Sequence, residues 1–231
     1  MRTIFLFTTH WHTNPRLRLL ALLALSMAFS VTMNVFRVWH SHTMTYTFLV
    51  WNLFLAAIPY GISTLLIEFE NLRKRPLVFW SLVALWLLFL PNAPYIFTDL
   101  FHLRLRNGVP LWFDLLLLLS FAWNGIILGY LSLFDIQELV SKKLGKRFTW
   151  LSVFCILFLC AFGVYLGRFL RWNSWDVFFN PFALVSDIAD RFVNPFAHLH
   201  TWGLTLGYGT FLVLGYLTLS LLIRHPHKTT I

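Results

Sequence analysis

Long apolar runs separated by short polar segments dominate this chain. Six of the runs hold about 20 mostly apolar residues, the length that a helix needs to cross the hydrocarbon core of a bilayer. Inside the bilayer every backbone N–H and C=O must find a partner within the segment, so the runs predict helices. They cover, in order, Leu17–Phe36, Tyr46–Ile67, Leu77–Phe97, Leu111–Phe134, Phe148–Leu170 and Trp202–Ile223. The pattern predicts an all-α, polytopic membrane bundle of about six transmembrane helices, with residues 1–231 forming a single transmembrane domain.

The segment between the fifth and sixth runs has the pattern of an amphipathic helix. Its apolar residues form one stripe at helical spacing, with the polar residues largely opposite; the stripe consists of Phe182, Val185, Ile188, Ala189 and Phe192. Asn-Pro pairs precede and follow it, and each reads as an N-cap with proline at the first helical position. We expect a short helix over residues 181–193, lying in the interface at the outer face as a lid, collar or anchor.

Composition supports a membrane protein. Hydrophobic residues make up 58% of the chain, charged residues 12%, and the mean hydropathy is +0.71, whereas soluble domains carry about 25% charged residues. The net charge of +9 is distributed by membrane side rather than gathered on one face. Nucleic acid is therefore not an expected partner, and membrane lipids are.

The basic residues predict the topology. Of the 18 Lys and Arg residues, twelve fall on the side of the two termini, and the other six are Arg37, Arg104, Arg106, Arg168, Arg171 and Arg191. By the positive-inside rule both termini are cytoplasmic and Pro91–Arg106 faces outward. An alternative for the first run is a cleaved signal peptide ending near Ser26, although the run is long for one and no small-x-small site closes it.

The third run breaks at Pro91-Asn92-Ala93-Pro94. Proline disfavours the α region for the residue before it, so Leu90 and Ala93 are expected to be extended or turn-like. Irregular backbone at membrane depth persists only when it is buried in protein or borders water. The break therefore indicates a site or a packing feature.

Ionisable residues follow this break. Thr98 or Asp99 is expected to cap a new short helix, on which Asp99, His102 and Arg106 would share one face. One interpretation is a polar cluster at the outer mouth of the bundle, where Asp99 orients His102. The alternative is an ordinary salt bridge on a capped surface helix.

Two further places carry charge inside apolar runs. Asp114 lies one turn into the fourth run, where a carboxylate is costly without a partner or water. Arg168 and Arg171 end the fifth run three residues apart, which predicts one shared helix face, and a guanidinium suits carboxylate or phosphate. The arginines therefore pair with Asp99, Asp114 or Asp176, or they bind an anionic ligand such as a lipid headgroup; simple snorkelling to the interface is the third alternative.

These residues together predict an outward-facing polar site for an anionic lipid or lipid-linked substrate. Asp99 and His102 are the candidates for acid–base chemistry. The candidate ligand-binding residues are Asn92, Tyr95, Asp114, Arg168, Arg171, Trp172, Asn173 and Asp176. The alternatives are a small-solute transporter or channel lined by the proline breaks, or a scaffold subunit of a membrane assembly.

Histidines, cysteines and glycines give expectations about metal binding, free thiols and helix packing. Eight of the nine histidines occur as H-x-H pairs that match no metal signature, so no metal or other cofactor is expected. A zinc or copper site built from the outer histidines with Asp99 and Asp114 is the less favoured alternative. The two cysteines are expected to be free thiols in the fifth helix. Small-residue spacings let helices approach closely and are expected to pack within one chain rather than in a homo-oligomer; they are Gly125-x-x-x-Gly129, Gly163-x-x-x-Gly167 and Gly203-x-x-x-Gly207.

Two stretches of the chain resemble a known family. The segments 91–103, PNAPYIFTDLFHL, and 167–176, GRFLRWNSWD, are similar to the bacterial membrane family catalogued as domain of unknown function (DUF) 1361. The resemblance covers roughly Trp51–Ile223. It implies a multi-pass protein of the bacterial inner membrane, and it supplies no activity and no catalytic residue.

Overall fold

The computed structural model describes residues 15–106 and 108–224, and within them the chain is almost entirely helical. The α-helices are α1 Pro15–Ser41, α2 Phe48–Glu68, α3 Glu70–Lys74, α4 Pro76–Phe89, α5 Asn92–Tyr95, α6 Leu111–Leu144, α7 Lys146–Phe169, α8 Asp176–Phe179, α9 Pro181–Val193 and α10 Leu199–Arg224. Short 3₁₀ helices occupy Ile96–His102 and Pro195–His198. Six helical stretches are long and apolar enough to cross a membrane. The predicted all-α membrane bundle is confirmed.

Helix boundaries agree with the sequence in some places and not in others. The amphipathic helix α9 has the bounds expected for it. The fourth run was expected to end near Phe134, but α6 continues for ten residues more, because Ile136, Leu139 and Val140 keep the helical spacing of buried apolar residues. The terminal H-x-H pairs, at residues 10–12 and 225–227, lie outside the described residues.

The expectation of extended backbone before the two prolines is wrong. Leu90 has φ −54° and ψ −38°, and its N–H donates to the Trp86 carbonyl at 2.8 Å. The Tyr95 N–H donates to the Pro91 carbonyl at 3.0 Å, within helix α5. Proline is tolerated at the start of a helical segment, where its missing N–H would have no partner in any case. The third spanning stretch therefore stays helical through the prolines, with a local change of helix type.

Glycines on two neighbouring helices hold this segment in place. A Cβ at Gly163 of α7 would lie 2.8 Å from the Pro91 ring, and one at Gly125 of α6 would collide with the Ala93 carbonyl oxygen. Helix α5 is thus packed between α6 and α7 at a distance that larger residues would not permit. Gly203 and Gly207 of α10 face open space instead, so for them the expected packing within the chain is wrong.

Helix α6 lies centrally and contacts α1, α2, α5 and α7. It runs antiparallel to α1, and the two helices are joined by three polar pairs at nearly constant register. The pairs are Arg37 with Asp114, Ser30 with Asn124, and Arg16 with Asp135. Below, the end of the bundle that holds Arg37 and Asp114 is called the site end.

The three polar pairs do not form a continuous path. Ten residues separate the α6 members of the first two pairs, a rise of about 15 Å along the helix. Leu117, Phe121 and Leu128 are buried on α6 between the pairs. The interface consequently fixes the register of α1 on α6 while it stays apolar between the polar layers.

Candidate functional site

Arg168, at the end of α7, is the centre of a polar cluster at the site end. Its Nη2 donates to the Asp99 carboxylate, its Nε donates to the Thr98 hydroxyl at 2.9 Å, and its guanidinium lies 4.3 Å from the centroid of the Tyr95 ring. The side chains are 11% exposed for Arg168 and 1% for Asp99. The ion pair is therefore almost fully removed from solvent, and among the pairings expected from the sequence it is the one that forms.

Two more side chains complete the cluster. His102 Nε2 lies 3.0 Å from Arg168 Nη1. A guanidinium can only donate, so Nε2 accepts, and the imidazole is neutral with its proton on Nδ1. The second oxygen of Asp99 accepts from Asn52 Nδ2 at 2.9 Å. Below, the Arg168 cluster means Asn52, Tyr95, Thr98, Asp99, His102 and Arg168.

The 3₁₀ helix Ile96–His102 explains how one arginine reaches three of these residues. Thr98, Asp99 and His102 lie on it within four residues of each other, close to one turn. Neither Thr98 nor Asp99 caps a helix as expected, because both lie inside this segment. Arg106 also departs from expectation: it lies beyond the segment, and its guanidinium stacks on the Tyr46 ring at 5.3 Å.

Asp114 belongs to a different assembly. It accepts two hydrogen bonds from Arg37, at 2.7 and 3.1 Å, and the Arg37 guanidinium lies 4.6 Å from the centroid of the Tyr46 ring. Both charged side chains are 1% exposed. Asp114 is thus a partner of α1, and the structure does not bring it to Arg168.

Arg171 does not share a helix face with Arg168. Helix α7 ends at Phe169, and Arg171 has φ +62°, in the left-handed region. The side chain is exposed and makes no hydrogen bond or ion pair with any residue in the described ranges. The two arginines therefore do not act together as a pair.

The other predicted residues lie near the cluster and have partners of their own. Trp172 Nε1 donates to the Asp187 carboxylate of α9 at 2.8 Å. The Asn173 backbone N–H donates to the Asp176 carboxylate at 2.7 Å. Asn92 Nδ2 donates to the Ser174 hydroxyl at 2.9 Å. These bonds hold the segment after α7 against α5 and α9.

An apolar cavity of about 430 Å³ lies between these elements. Its wall combines the site ends of α2, α4, α5 and α7 with the segment after α7 and one face of α9. Trp51 of α2 and Leu159 of α7 line it and are each 54% exposed, so the wall of the cavity reaches the surface of the bundle at these two residues. Helix α9 contributes Leu184, Ile188 and Phe192. The space has the size and apolar character of a ligand site.

The cavity and the Arg168 cluster share a wall. Asn52 and Tyr95 line the cavity, and the same two side chains contact Asp99 and Arg168. Asn92, Trp172, Asn173 and Ser174 also line it. Of the sequence-predicted residues, the structure brings Asn92, Tyr95, Trp172 and Asn173 to one cavity, with Asp99, His102 and Arg168 behind its wall.

No group of three or more His, Cys, Asp or Glu side chains that could hold a metal ion occurs in residues 15–106 and 108–224. Both cysteines are free, as expected, and Cys160 lines the cavity.

Sequence reasoning missed several members of these assemblies. Arg37 was assigned only to a membrane side, and Asn52 was given no role. One usable signal exists for Arg37: residues 16, 30 and 37 are spaced by multiples of seven on α1, and their partners lie three helical turns apart on α6. No comparable signal marks Asn52, whose partner comes from another helix.

Comparison with known proteins gives a family and no activity. A family model described as "Protein of unknown function (DUF1361)" matches residues 51–214, so the chain belongs to that family. The matched region contains the cavity and the whole Arg168 cluster, whereas α1 and Arg37 lie before it. No curated protein and no solved structure matches the chain.

Proposed function

We propose that this multi-pass protein binds a membrane lipid or lipid-linked molecule, with the apolar chain of the ligand in the cavity. The exposure of Trp51 and Leu159 in the cavity wall supports entry from the bilayer, because both residues lie on helices that are long and apolar enough to cross a membrane. The apolar wall suits a hydrocarbon chain. The polar group of the ligand would lie near Asn92, Asn173 and Tyr95.

We further propose that the site end faces outward from a bacterial inner membrane. Twelve of the 18 basic residues fall at the opposite end or in the termini, which the positive-inside rule assigns to the cytoplasm. The ligand would then enter from the outer leaflet.

Arg171 is our candidate for recognition of an anionic group. It is exposed, lacks an acidic partner among the described residues, and directly precedes Trp172 of the cavity wall. Arg168 is less suited to this role because its charge is balanced by Asp99. We assign Arg168, with Asp99 and His102, the role of fixing Asn52 and Tyr95 in the cavity wall, and we assign no reaction.

The observation that carries the proposal is the apolar cavity whose wall includes Asn52 and Tyr95. Replacement of Ile188 by tryptophan fills the cavity from α9, and Val185→Trp is the matched control on the same helix, exposed and outside the wall. Overpacking a site costs about 1 to 3 kcal/mol, so Ile188→Trp should lower lipid retention by about fivefold or more. Native mass spectrometry of the full chain with added dioleoyl phosphatidic acid measures the retention.

The anionic group is tested with a second pair of variants. Arg171→Gln should lower retention of dioleoyl phosphatidic acid and leave dioleoylglycerol unchanged, whereas Arg104→Gln, at an exposed arginine outside the cavity wall, should change neither. Equal retention by the wild type and Ile188→Trp would refute the site. An equal loss of retention of both lipids in Arg171→Gln would refute only the assignment of Arg171 to the anionic group.

A further inference from the structure

Three asparagines line the cavity from three different elements: Asn52 from α2, Asn92 from α5 and Asn173 from the segment after α7. In each of them the amide nitrogen faces an oxygen that can only accept. These oxygens belong, in the same order, to the Asp99 carboxylate at 2.9 Å, the Phe89 carbonyl at 2.9 Å and the Asp176 carboxylate at 3.2 Å. Because such oxygens need a donor, the orientation of all three amides follows from their partners.

The three amide oxygens are left without a donor. No residue in the described ranges donates a hydrogen bond to any of them. The oxygens of Asn52 and Asn92 are not among the buried polar atoms that lack a partner, so both reach open space, and Asn173 is an exposed residue. Asn92 uses both of its amide N–H groups, whereas Asn52 and Asn173 each donate one hydrogen bond from the amide to a described residue. The polar wall of the cavity therefore offers three amide oxygens as acceptors, beside one remaining N–H group on Asn52 and one on Asn173.

We infer that the ligand carries a hydroxyl-rich headgroup, of the sugar or polyol kind, whose O–H groups donate to these three amides. The inference rests on the proposed function and names the class of lipid that the site would hold. Amide oxygens without a donor select a ligand that brings donors, because an acceptor buried by a ligand without a donor loses its hydrogen bonds to water. A hydroxyl also accepts, so it suits the remaining N–H groups of Asn52 and Asn173 as well.

Two other headgroup classes fit the wall less well. A phosphate group without a hydroxylated substituent presents mainly acceptors to the amide oxygens. An ammonium group donates, but it would lie beside the unpaired charge of Arg171 next to the wall, and like charges repel. The aromatic faces of Trp172, Trp175 and Tyr95 in the same wall suit the C–H surface of a sugar ring.

The test compares three lipids with identical chains on the purified full chain. The probes are dioleoyl glucosylglycerol, dioleoyl phosphatidylethanolamine and dioleoyl phosphatidic acid, and retention is measured by native mass spectrometry. The wild type should retain the glucosyl lipid best. One neutral hydrogen bond is worth about fivefold in affinity, so Asn92→Leu combined with Asn173→Leu should lower retention of the glucosyl lipid by roughly twentyfold and change the other two little.

Two further variants keep the result interpretable. Asn180→Leu is the matched control: an exposed asparagine outside the cavity wall, without a side-chain cap bond, whose replacement should leave the order of the lipids unchanged. Asn173→Leu alone, at an exposed position, should lower retention of the glucosyl lipid by about fivefold even where the double variant fails to fold.

The outcomes separate this inference from the proposed function. Equal retention of the three lipids by the wild type, a preference for the ethanolamine lipid or for phosphatidic acid, or a sugar preference that survives both asparagine substitutions would overturn the inference. In each of these cases the sensitivity of retention to Ile188→Trp still decides the proposed function. Insensitivity to that variant would overturn both.

Discussion

Two Arg–Asp pairs lie at the site end of the bundle, and each has a tyrosine ring beneath the guanidinium. The residues are Arg37, Asp114 and Tyr46 in the first assembly, and Arg168, Asp99 and Tyr95 in the second. The centres of the two guanidiniums lie 4.6 and 4.3 Å from the centroids of their tyrosine rings. The same three residue types thus bury a charge at two places near a membrane surface.

What differs is the surroundings. The first assembly is sealed between α1 and α6, and the remaining nitrogen of Arg37 donates to the Thr43 hydroxyl at 3.1 Å. The second borders the cavity through Tyr95 and Asn52 and shares its arginine with His102. A buried ion pair is therefore weak evidence for a site by itself, and it is the adjoining cavity that distinguishes the second assembly from the first.

The two assemblies touch through one residue. Tyr46 stacks under Arg37, and its hydroxyl donates to the His102 carbonyl at 3.1 Å. Loss of the Tyr46 hydrogen bond should therefore loosen the 3₁₀ helix that carries Asp99 and His102. The effects of variants at the two arginines should not be strictly additive.

The largest expected effect follows from Arg37→Met. It leaves Asp114 buried and unpaired, which costs about 3 to 5 kcal/mol of folding free energy. Thermal unfolding in detergent measures the loss. The double variant Arg37→Met with Asp114→Leu removes both charges and should recover most of the stability, and it should retain lipid like the wild type. A single variant as stable as the wild type would contradict the sealed assembly.

A smaller loss is expected for Arg168→Met, about 2 to 4 kcal/mol, because Asp99 keeps its hydrogen bond from Asn52 and Arg168 is partly exposed. Asp99→Asn should restore stability to this variant. Retention of lipid should stay low in the rescued protein, since Tyr95 in the cavity wall has lost the cation above it. Rescue of stability and retention together would make the second assembly purely structural, like the first.

The sequence predicted much of this arrangement for a physical reason. A charge inside an apolar run needs a partner, so Asp99 and Arg168 were expected to meet or to hold a ligand, and they meet. The bounds of α9 also followed from the sequence, because Asn-Pro pairs mark both of its ends. The bounds of α9 depend on local interactions, and Asp99 and Arg168 had few alternative partners.

The rest depended on which helices are neighbours. The sequence alone left more than one arginine as a possible partner of Asp114. Only the packing of α1 against α6 selects Arg37. The helical backbone at Pro91 and Pro94 depends on glycines of α6 and α7 that admit α5. Arg171 was placed by periodicity on the face of Arg168, but periodicity gives no warning that α7 ends between them.

The smallest expected effect concerns an exposed carboxylate, and it sharpens the contrast with the two buried pairs. Hydrogen bonds from Asn194 and His198 lower the pKa of Asp190 below its ordinary value of 3.8, with a further contribution from Arg191. A carboxylate whose pKa is lower in the folded state stabilises the fold at pH values above its unfolded-state pKa. This stabilisation is lost as the pH falls through the folded-state pKa. The stability difference between the wild type and Asp190→Asn should therefore be small at neutral pH and vanish in acid, once the pH has fallen below the lowered pKa of Asp190. Thermal unfolding against pH measures it, and a difference that stays constant into acid would show that these contacts do not depend on the charge of Asp190.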